Sequence, residues 1–139
     1  MNLKDFIDKK QVRKATKDIS LAKSLLSNAK SDLKFLERLE IDSISARKIM
    51  CNYYDVLRSI LEAMASLDGY KVYSHEAFTY YLKEKGENVA AEKFDRFRKI
   101  RNGINYYGKD ISVKEAKENA DHIKKLIDLL IERYLEEIA

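Results

Sequence analysis

The stretch Phe94–Asp110, FDRFRKIRNGINYYGKD, decides how the rest of the chain is interpreted. Its apolar residues recur every three or four positions, a spacing that predicts one face of a helix. These residues are Phe94, Phe97, Ile100 and Ile104. Cations surround this apolar face, and a glycine, Gly108, follows at the point where we expect the helix to end. Asp95 and Arg98, three positions apart, should form an ion pair on the face of this helix.

The end of this helix carries amide and aromatic side chains of the kind that proteins use to bind ligands, more than a merely solvated face would need. Arg101 follows the core residue Ile100, so its guanidinium should emerge at the margin of the buried face. A partly shielded arginine beside amides suits a phosphate or carboxylate. The alternative is a bridge from Arg101 to Glu62 or Asp55 on a neighbouring helix. We predict a nucleotide- or RNA-binding set made of Arg98, Arg101, Asn102, Asn105, Tyr106 and Tyr107.

The remainder of the chain shows the same helical periodicity and no strand-like alternation. We predict a single all-α domain over residues 1–139, an antiparallel up-and-down bundle of four main helices plus one short helix. Residues 1–15 should form a loosely packed lead-in arm. The predicted helices cover about 17–40, 43–67, 74–85 (the short one), 88–107 and 112–139, with caps at Ser74 and Ser112.

Composition limits the function classes. The 139 residues carry a net charge of +4, which suits an acidic partner only modestly. A single cysteine, Cys51, excludes an internal disulfide. No apolar run reaches the ~18 residues of a membrane span, and no signal peptide is recognisable at Met1. We therefore expect a cytoplasmic protein without membrane contact.

Metal chemistry has little support in the sequence. The two histidines, His75 and His122, fall on different elements and have no ligand pair at metal-binding spacing around them. We predict that both are surface or cap residues and that the protein uses no metal or other cofactor. Entry of His75 into the cleft beside Arg101, from the short helix, is the alternative.

The tyrosines are unusual in number and position. Eight of the nine lie between residues 53 and 107, and six of these form adjacent pairs: Tyr53-Tyr54, Tyr80-Tyr81 and Tyr106-Tyr107. One interpretation is that one member of each pair fills the core while its hydroxyl reaches the edge. The other is that some of them line a site where bases stack beside arginines.

Two stretches of the chain resemble the HEPN family. Residues 94–108 are similar to the helix end that carries the family's motif, in which an Arg, often followed by Asn, precedes a His by a few residues. Residues 53–63, YYDVLRSILEA, are similar to the second HEPN helix. The resemblance extends over essentially the whole chain in helix order and length.

The resemblance implies a function as well as a fold. HEPN proteins are helical bundles that usually dimerise so that two Arg motifs face a shared cleft. Many are encoded beside a minimal nucleotidyltransferase as a toxin–antitoxin pair. Active members are metal-independent ribonucleases in which the His takes the proton of the RNA 2′-hydroxyl and the Arg stabilises the phosphorane. Other members bind nucleotides or partner proteins without catalysis.

One position departs from the family motif. Arg101 and Asn102 match the Arg and the polar residue after it, but Tyr106 occupies the His position, with four residues between it and Arg101. A tyrosine with a pKa of about 10 is a weak general base at neutral pH. We therefore expect a homodimer that binds nucleotides or RNA and pairs with a nucleotidyltransferase. An active ribonuclease using Arg101, Asn102 and Tyr106, and a purely protein-binding partner, stay open as alternatives.

Overall fold

The computed structural model describes residues 1–139 and is mostly helical, as predicted. It contains six α-helices, two short strands and a terminal 3₁₀ turn. These are α1 (Leu3–Asp8), β1 (Val12–Lys14), α2 (Ile19–Glu37), α3 (Ala46–Leu67), β2 (Tyr70–Val72), α4 (His75–Glu84), α5 (Asn88–Tyr107), α6 (Val113–Tyr134) and the turn Glu136–Ile138. Each helix is too short or too polar to cross a lipid bilayer.

Helix α3 lies at the centre of the core. It contacts α2, α5 and α6, while α4 packs chiefly on α5. A helix in contact with several neighbours needs apolar residues on most of its faces, and α3 buries fourteen residues. Its largest fully buried side chains are Tyr54, Met50, Leu57, Ile60, Leu61 and Met64. Tyr54 is therefore held in place by close packing, with its ring stacked on Phe94 of α5.

The N-terminal segment differs from the loosely packed arm predicted for residues 1–15. Helix α1 is closed by a capping box between Asn2 and Asp5, and its side chains Leu3 and Phe6 are buried in the common core. The strand β1 then pairs antiparallel with β2, placing Val12 opposite Val72. The predicted loose packing of residues 1–15 is therefore wrong, and so is the prediction that the chain contains no strands. Both strands have three residues, too few for alternation to be visible in the sequence.

A glycine makes this small sheet possible. Gly69 has a φ of +79°, and its carbonyl accepts a hydrogen bond of 2.7 Å from the Ala15 amide. A Cβ at this position would lie 2.9 Å from the Ala15 carbonyl oxygen, closer than side-chain carbons approach a backbone oxygen. Only glycine fits both the conformation and the close approach. The sheet therefore fixes the segment that leads from α3 to α4.

Helix α5 has the predicted bounds, Asn88–Tyr107. Gly108 ends it in the left-handed conformation, with a φ of +63°, and donates its amide to the Gly103 carbonyl. The next helix, α6, begins at the predicted cap: the Ser112 hydroxyl accepts a hydrogen bond of 3.1 Å from the Glu115 amide. Gly108 and Ser112 thus set where α5 ends and where α6 begins, and only a short loop joins the two helices.

Candidate anion-binding site

Arg101 lies in the last two turns of α5 with its side chain half-buried. One terminal nitrogen, Nη1, donates to Asn102 Oδ1 at 3.3 Å and to the Tyr106 hydroxyl at 3.2 Å. Its Cζ lies 5.6 Å from the centre of the Tyr54 ring and 5.5 Å from that of Tyr106. The guanidinium is thus oriented by two aromatic rings and two neutral hydrogen-bond acceptors.

No carboxylate neutralises Arg101. The bridge to Glu62 or Asp55 that the sequence left open is not formed, since Arg101 takes part in none of the ion pairs. Its Nε is buried and has no hydrogen-bond partner. A half-buried cation with a free donor is expensive to keep unpaired, so this position favours an anion.

Two further arginines lie near Arg101, and each of them has a carboxylate. Arg58 on α3 pairs with Glu62 one turn later. Arg98 on α5 donates two hydrogen bonds to Asp95, at 2.7 and 3.0 Å, which confirms the predicted ion pair. Arg58 Nε, like that of Arg101, is buried without a partner. Of these three arginines, Arg101 alone forms no ion pair.

Asp95 is held in its charged form. It accepts from Arg98, from Lys99 at 3.1 Å and from the Thr79 hydroxyl at 3.2 Å. Burial by itself would raise the pKa of this carboxyl, but the hydrogen bonds and charges of Arg98 and Lys99 outweigh it and lower the pKa below its usual range. Asp95 therefore stays charged at neutral pH and fixes Arg98 in place.

His75, the first residue of α4, lies on this cluster. It is half-buried, and its Nδ1 is 3.0 Å from the hydroxyl of Tyr54. Burial, and then the positive charges of Arg58, Arg101 and Arg98, lower the pKa of His75 to about 4. The imidazole is therefore neutral at pH 7. His75 therefore stands at the start of α4, half-buried rather than on the open surface, in the position that the alternative of entry beside Arg101 described, whereas His122 on α6 is exposed as predicted.

Tyr54 connects the three helices of the site. Its side chain is fully buried, 0% exposed, and its ring stacks on Phe94 of α5 with 5.6 Å between the ring centres. The hydroxyl reaches His75 of α4, and the ring lies beside the guanidinium of Arg101. Burial raises the pKa of the Tyr54 phenol, which therefore stays protonated and keeps its hydrogen bond.

The other predicted site residues separate into two groups. Asn102 and Tyr106 meet Arg101, while Asn105 accepts instead from the buried Cys51 thiol at 3.4 Å. The hydroxyl of Tyr107 makes no hydrogen bond within the protein. Asn105, Asn52 and Asp55 border a cavity of about 360 Å³ between α3 and α5. The structure brings together the arginines, Asn102 and Tyr106, and leaves Asn105 and Tyr107 beside them.

The tyrosine pairs do not follow one rule. Tyr81 fills the core while Tyr80 is half-buried, which fits the predicted division within a pair. Tyr53 and Tyr54 are both buried. Tyr106 and Tyr107 are both exposed, by 66% and 78%, next to Arg101. Tyr107 therefore offers a free aromatic ring at the end of α5, whereas the ring of Tyr106 already lies beside the guanidinium of Arg101.

The predicted binding set leaves out three residues of this cluster, Tyr54, Arg58 and His75, although entry of His75 beside Arg101 was left open as an alternative. Arg58 and Tyr54 lie in the stretch 53–63 that carries part of the family resemblance, so a signal existed for them. His75 had no local signal, because only the packing of α4 on α5 brings it to the arginines. No three His, Cys, Asp or Glu side chains cluster as metal ligands would.

Comparisons with models of known protein families, with curated protein sequences and with solved structures found no match to this chain.

Proposed function

We propose that the protein binds single-stranded RNA or nucleotides by their phosphate groups at Arg101, as a HEPN-like protein. One observation carries the proposal: Arg101 is a half-buried guanidinium that has only neutral partners, Asn102 and Tyr106, while the neighbouring arginines are paired. A phosphate oxygen supplies the missing negative charge and accepts from the free donors of the fork.

The surroundings of Arg101 favour a nucleic acid over a simple anion. Tyr106 and Tyr107 present exposed rings in the last turn of α5, and the ring centre of Tyr106 lies 5.5 Å from Arg101 Cζ. Bases stack on such rings whatever their identity, while the backbone phosphate binds the cation. Arg98 and Lys99 add positive charge along the same helix. The combination suits a flexible single strand whose bases are free to stack.

The proposal includes the assembly that the HEPN resemblance implies. In this proposal the four long helices, α2, α3, α5 and α6, run up and down in an antiparallel bundle with the short helices α1 and α4 beside them, and two copies pack through α3 and α5. The two stretches Arg101–Tyr107 then lie close together at a shared cleft. A nucleotidyltransferase is the proposed protein partner, in a pair of the toxin–antitoxin kind.

Ribonuclease activity is the first alternative. It is favoured by the 3.2 Å contact between the Tyr106 hydroxyl and Arg101, which places a proton donor beside the proposed phosphate. Tyr106 can act as an acid there, but as a base it is weak at neutral pH. We therefore propose binding with little or no cleavage.

A purely protein-binding role is the second alternative. Phe35 and Ile44, exposed by 58% and 87%, are large apolar side chains on the α2–α3 side of the molecule. Exposed apolar residues mark a surface that contacts another protein where they form one patch. This alternative predicts no affinity for RNA, so one binding experiment separates it from our proposal.

The experiment measures binding of a labelled single-stranded RNA to the purified chain and to Arg101→Ala. We expect Arg101→Ala to weaken binding about tenfold to a hundredfold, the value of one or two charge-assisted hydrogen bonds. The salt dependence should also fall, by about 0.7 in the slope of log K against log salt. Circular dichroism should show an unchanged helical fold.

Arg96→Ala is the matched control. Arg96 lies on the same helix, is exposed, and makes no ion pair, so the substitution removes the same charge outside the cluster. We expect a smaller loss of RNA affinity than for Arg101→Ala. Equal losses would mean that binding is non-specific attraction, and absence of binding to RNA and to millimolar nucleotide would favour the protein-binding alternative.

A further inference from the structure

We infer that His75 is part of the RNA-binding site and takes up a proton when a phosphate group binds among Arg58, Arg98 and Arg101. This inference rests on the proposed function. It goes beyond that function by coupling ligand binding to a change of charge at a residue outside the Arg101 helix. The ligand class is then an anion whose binding strengthens as the pH falls.

The first argument is geometric. His75 reaches the site from α4, and its Nδ1 lies 3.0 Å from the hydroxyl of Tyr54. The two rings are 5.8 Å apart, and the guanidinium of Arg101 lies 5.6 Å from the centre of the same Tyr54 ring. His75 and Arg101 therefore contact one buried side chain from two different helices.

The second argument concerns the charges that act on the imidazole. The charges that shift its pKa are all positive: Arg58 on α3, and Arg98 and Arg101 on α5. Helix α1 contacts α4 through the apolar contact of Phe6 on Tyr80, and neither α1 nor β2 adds a charge that shifts the pKa of His75. The charged or titratable groups of the neighbourhood are Tyr54, Asp55, Arg58 and Glu62 on α3, Glu76 on α4, and Asp95, Arg98 and Arg101 on α5.

A bound phosphate reverses this balance. In the free protein, burial and the arginines keep His75 neutral. A negative charge placed between the guanidiniums cancels the repulsion that they exert on an imidazolium and attracts it instead. His75 then accepts a proton from the solvent, and no bond of the ligand is made or broken.

The hydrogen bond to Tyr54 is compatible with both charge states. A hydroxyl both donates and accepts, so the neutral imidazole accepts from Tyr54 at Nδ1, whereas the imidazolium donates to the Tyr54 oxygen. Its Nε2–H is a charged donor for a phosphate oxygen. The ring therefore needs no rotation when it gains its proton.

The first test follows RNA affinity against pH. The probe is a single-stranded RNA oligonucleotide with unphosphorylated ends, because its phosphodiesters do not change charge between about pH 5 and pH 8. At constant salt, we expect the affinity of the wild type to fall as the pH rises, by at most tenfold per pH unit for one linked proton. His75→Gln should flatten this dependence, since glutamine keeps an acceptor for Tyr54 but cannot be charged.

His122→Gln is the matched control for this test. His122 is exposed on α6, outside the site, so its removal should leave the pH dependence as in the wild type. If the wild type and His75→Gln show the same dependence while both bind RNA, the inference is wrong and the proposed function stands. If no variant binds RNA, both fail together.

A second test needs no variant and avoids any folding defect of His75→Gln. The chain has only two histidines, so NMR of imidazole-labelled protein gives two ring signals. We expect the His75 signal to titrate at higher pH with RNA bound than without it, while the His122 signal moves little. Identical titration of His75 in the free and RNA-bound protein would overturn the inference.

Discussion

Arg101 and Tyr106 act as a pair at the residue scale. The tyrosine hydroxyl lies 3.2 Å from Arg101 Nη1 and accepts its hydrogen bond, and the ring contacts the guanidinium. Tyr106 therefore positions the cation that we propose to bind phosphate. In the proposed function, the side chain at position 106 stands where a general base would act on RNA, so its identity should decide between binding and cleavage.

Tyr106→His should raise metal-independent cleavage of RNA. A positioned general base typically contributes a factor of about 100 to 10,000, and an imidazole supplies a base at neutral pH where a phenol does not. The measurement is cleavage of labelled single-stranded RNA without metal, between about pH 6 and pH 10. Tyr107→His is the control, because it adds the same group one position further around the exposed end of α5.

The contrary result is also informative. Robust cleavage by the wild type at neutral pH that disappears in Arg101→Ala would show that the ribonuclease alternative is correct without the substitution. Equal gains in Tyr106→His and Tyr107→His would mean that the position of the imidazole relative to Arg101 does not matter.

At the scale of the elements, the helix starts are stabilised unequally. Ser112 caps α6 with a hydrogen bond to the Glu115 amide, and its hydroxyl also lies 3.1 Å from the Glu115 carboxylate. Ser74 stands at the cap position of α4 but makes no side-chain cap hydrogen bond. The sequence predicted both as caps, and only the geometry separates them.

Ser112→Ala should lower the free energy of unfolding by about 1 kcal/mol, because an amide of the first turn of α6 loses its acceptor. Ser74→Ala is the matched control and should change stability by clearly less, since no cap hydrogen bond is lost. Urea unfolding followed by circular dichroism measures both. If both variants lose the same free energy of unfolding, the cap hydrogen bond of Ser112 does not stabilise α6.

At the scale of the whole molecule, His75 makes stability depend on pH. Its pKa is about 4 in the folded protein, compared with the ordinary value of 6.5 that it regains on unfolding. Between these two pH values the unfolded chain binds more protons than the folded protein. The contribution of His75 to the free energy of unfolding is therefore complete above about pH 6.5 and is lost as the pH falls towards 4. At more acid pH, the lowered pKa values of Glu87, through its hydrogen bond from Tyr134, and of Asp95 add further losses.

We therefore expect the stability of the free protein to decrease with acidification over this range, and His75→Gln to remove most of the decrease above pH 5. Urea unfolding at several pH values measures it, with His122→Gln as the control that should match the wild type. If the free energy of unfolding of His75→Gln changes with pH as it does in the wild type, His75 is not held neutral in the folded protein.

Assembly is the second question at this scale. We predict a homodimer packed through α3 and α5, because arginine and tyrosine are enriched at interfaces and Arg101, Tyr106 and Tyr107 lie at one end of α5. Light scattering at high micromolar concentration should give twice the mass of the chain. A monomer at that concentration, or a dimer with the two Arg101 side chains on opposite outer faces, would count against the shared cleft.

The sequence by itself determined the helical class and the bounds of α5. Spacings of three and four are local properties, and a positive-φ glycine such as Gly108 ends a helix whatever packs around it. The same local spacing placed Arg101, Asn102 and Tyr106 within hydrogen-bonding reach on one helix. It also predicted the Asp95–Arg98 ion pair.

Only the tertiary structure decided which side chains from other helices complete the site. His75 meets the hydroxyl of Tyr54 across 21 positions of sequence, and Arg58 belongs to a third helix. Burial and the summed charge of three arginines, which set the protonation of His75, exist only after α3, α4 and α5 have packed. The strands β1 and β2 are likewise made by pairing across the chain, because three residues carry too little pattern to specify a strand alone.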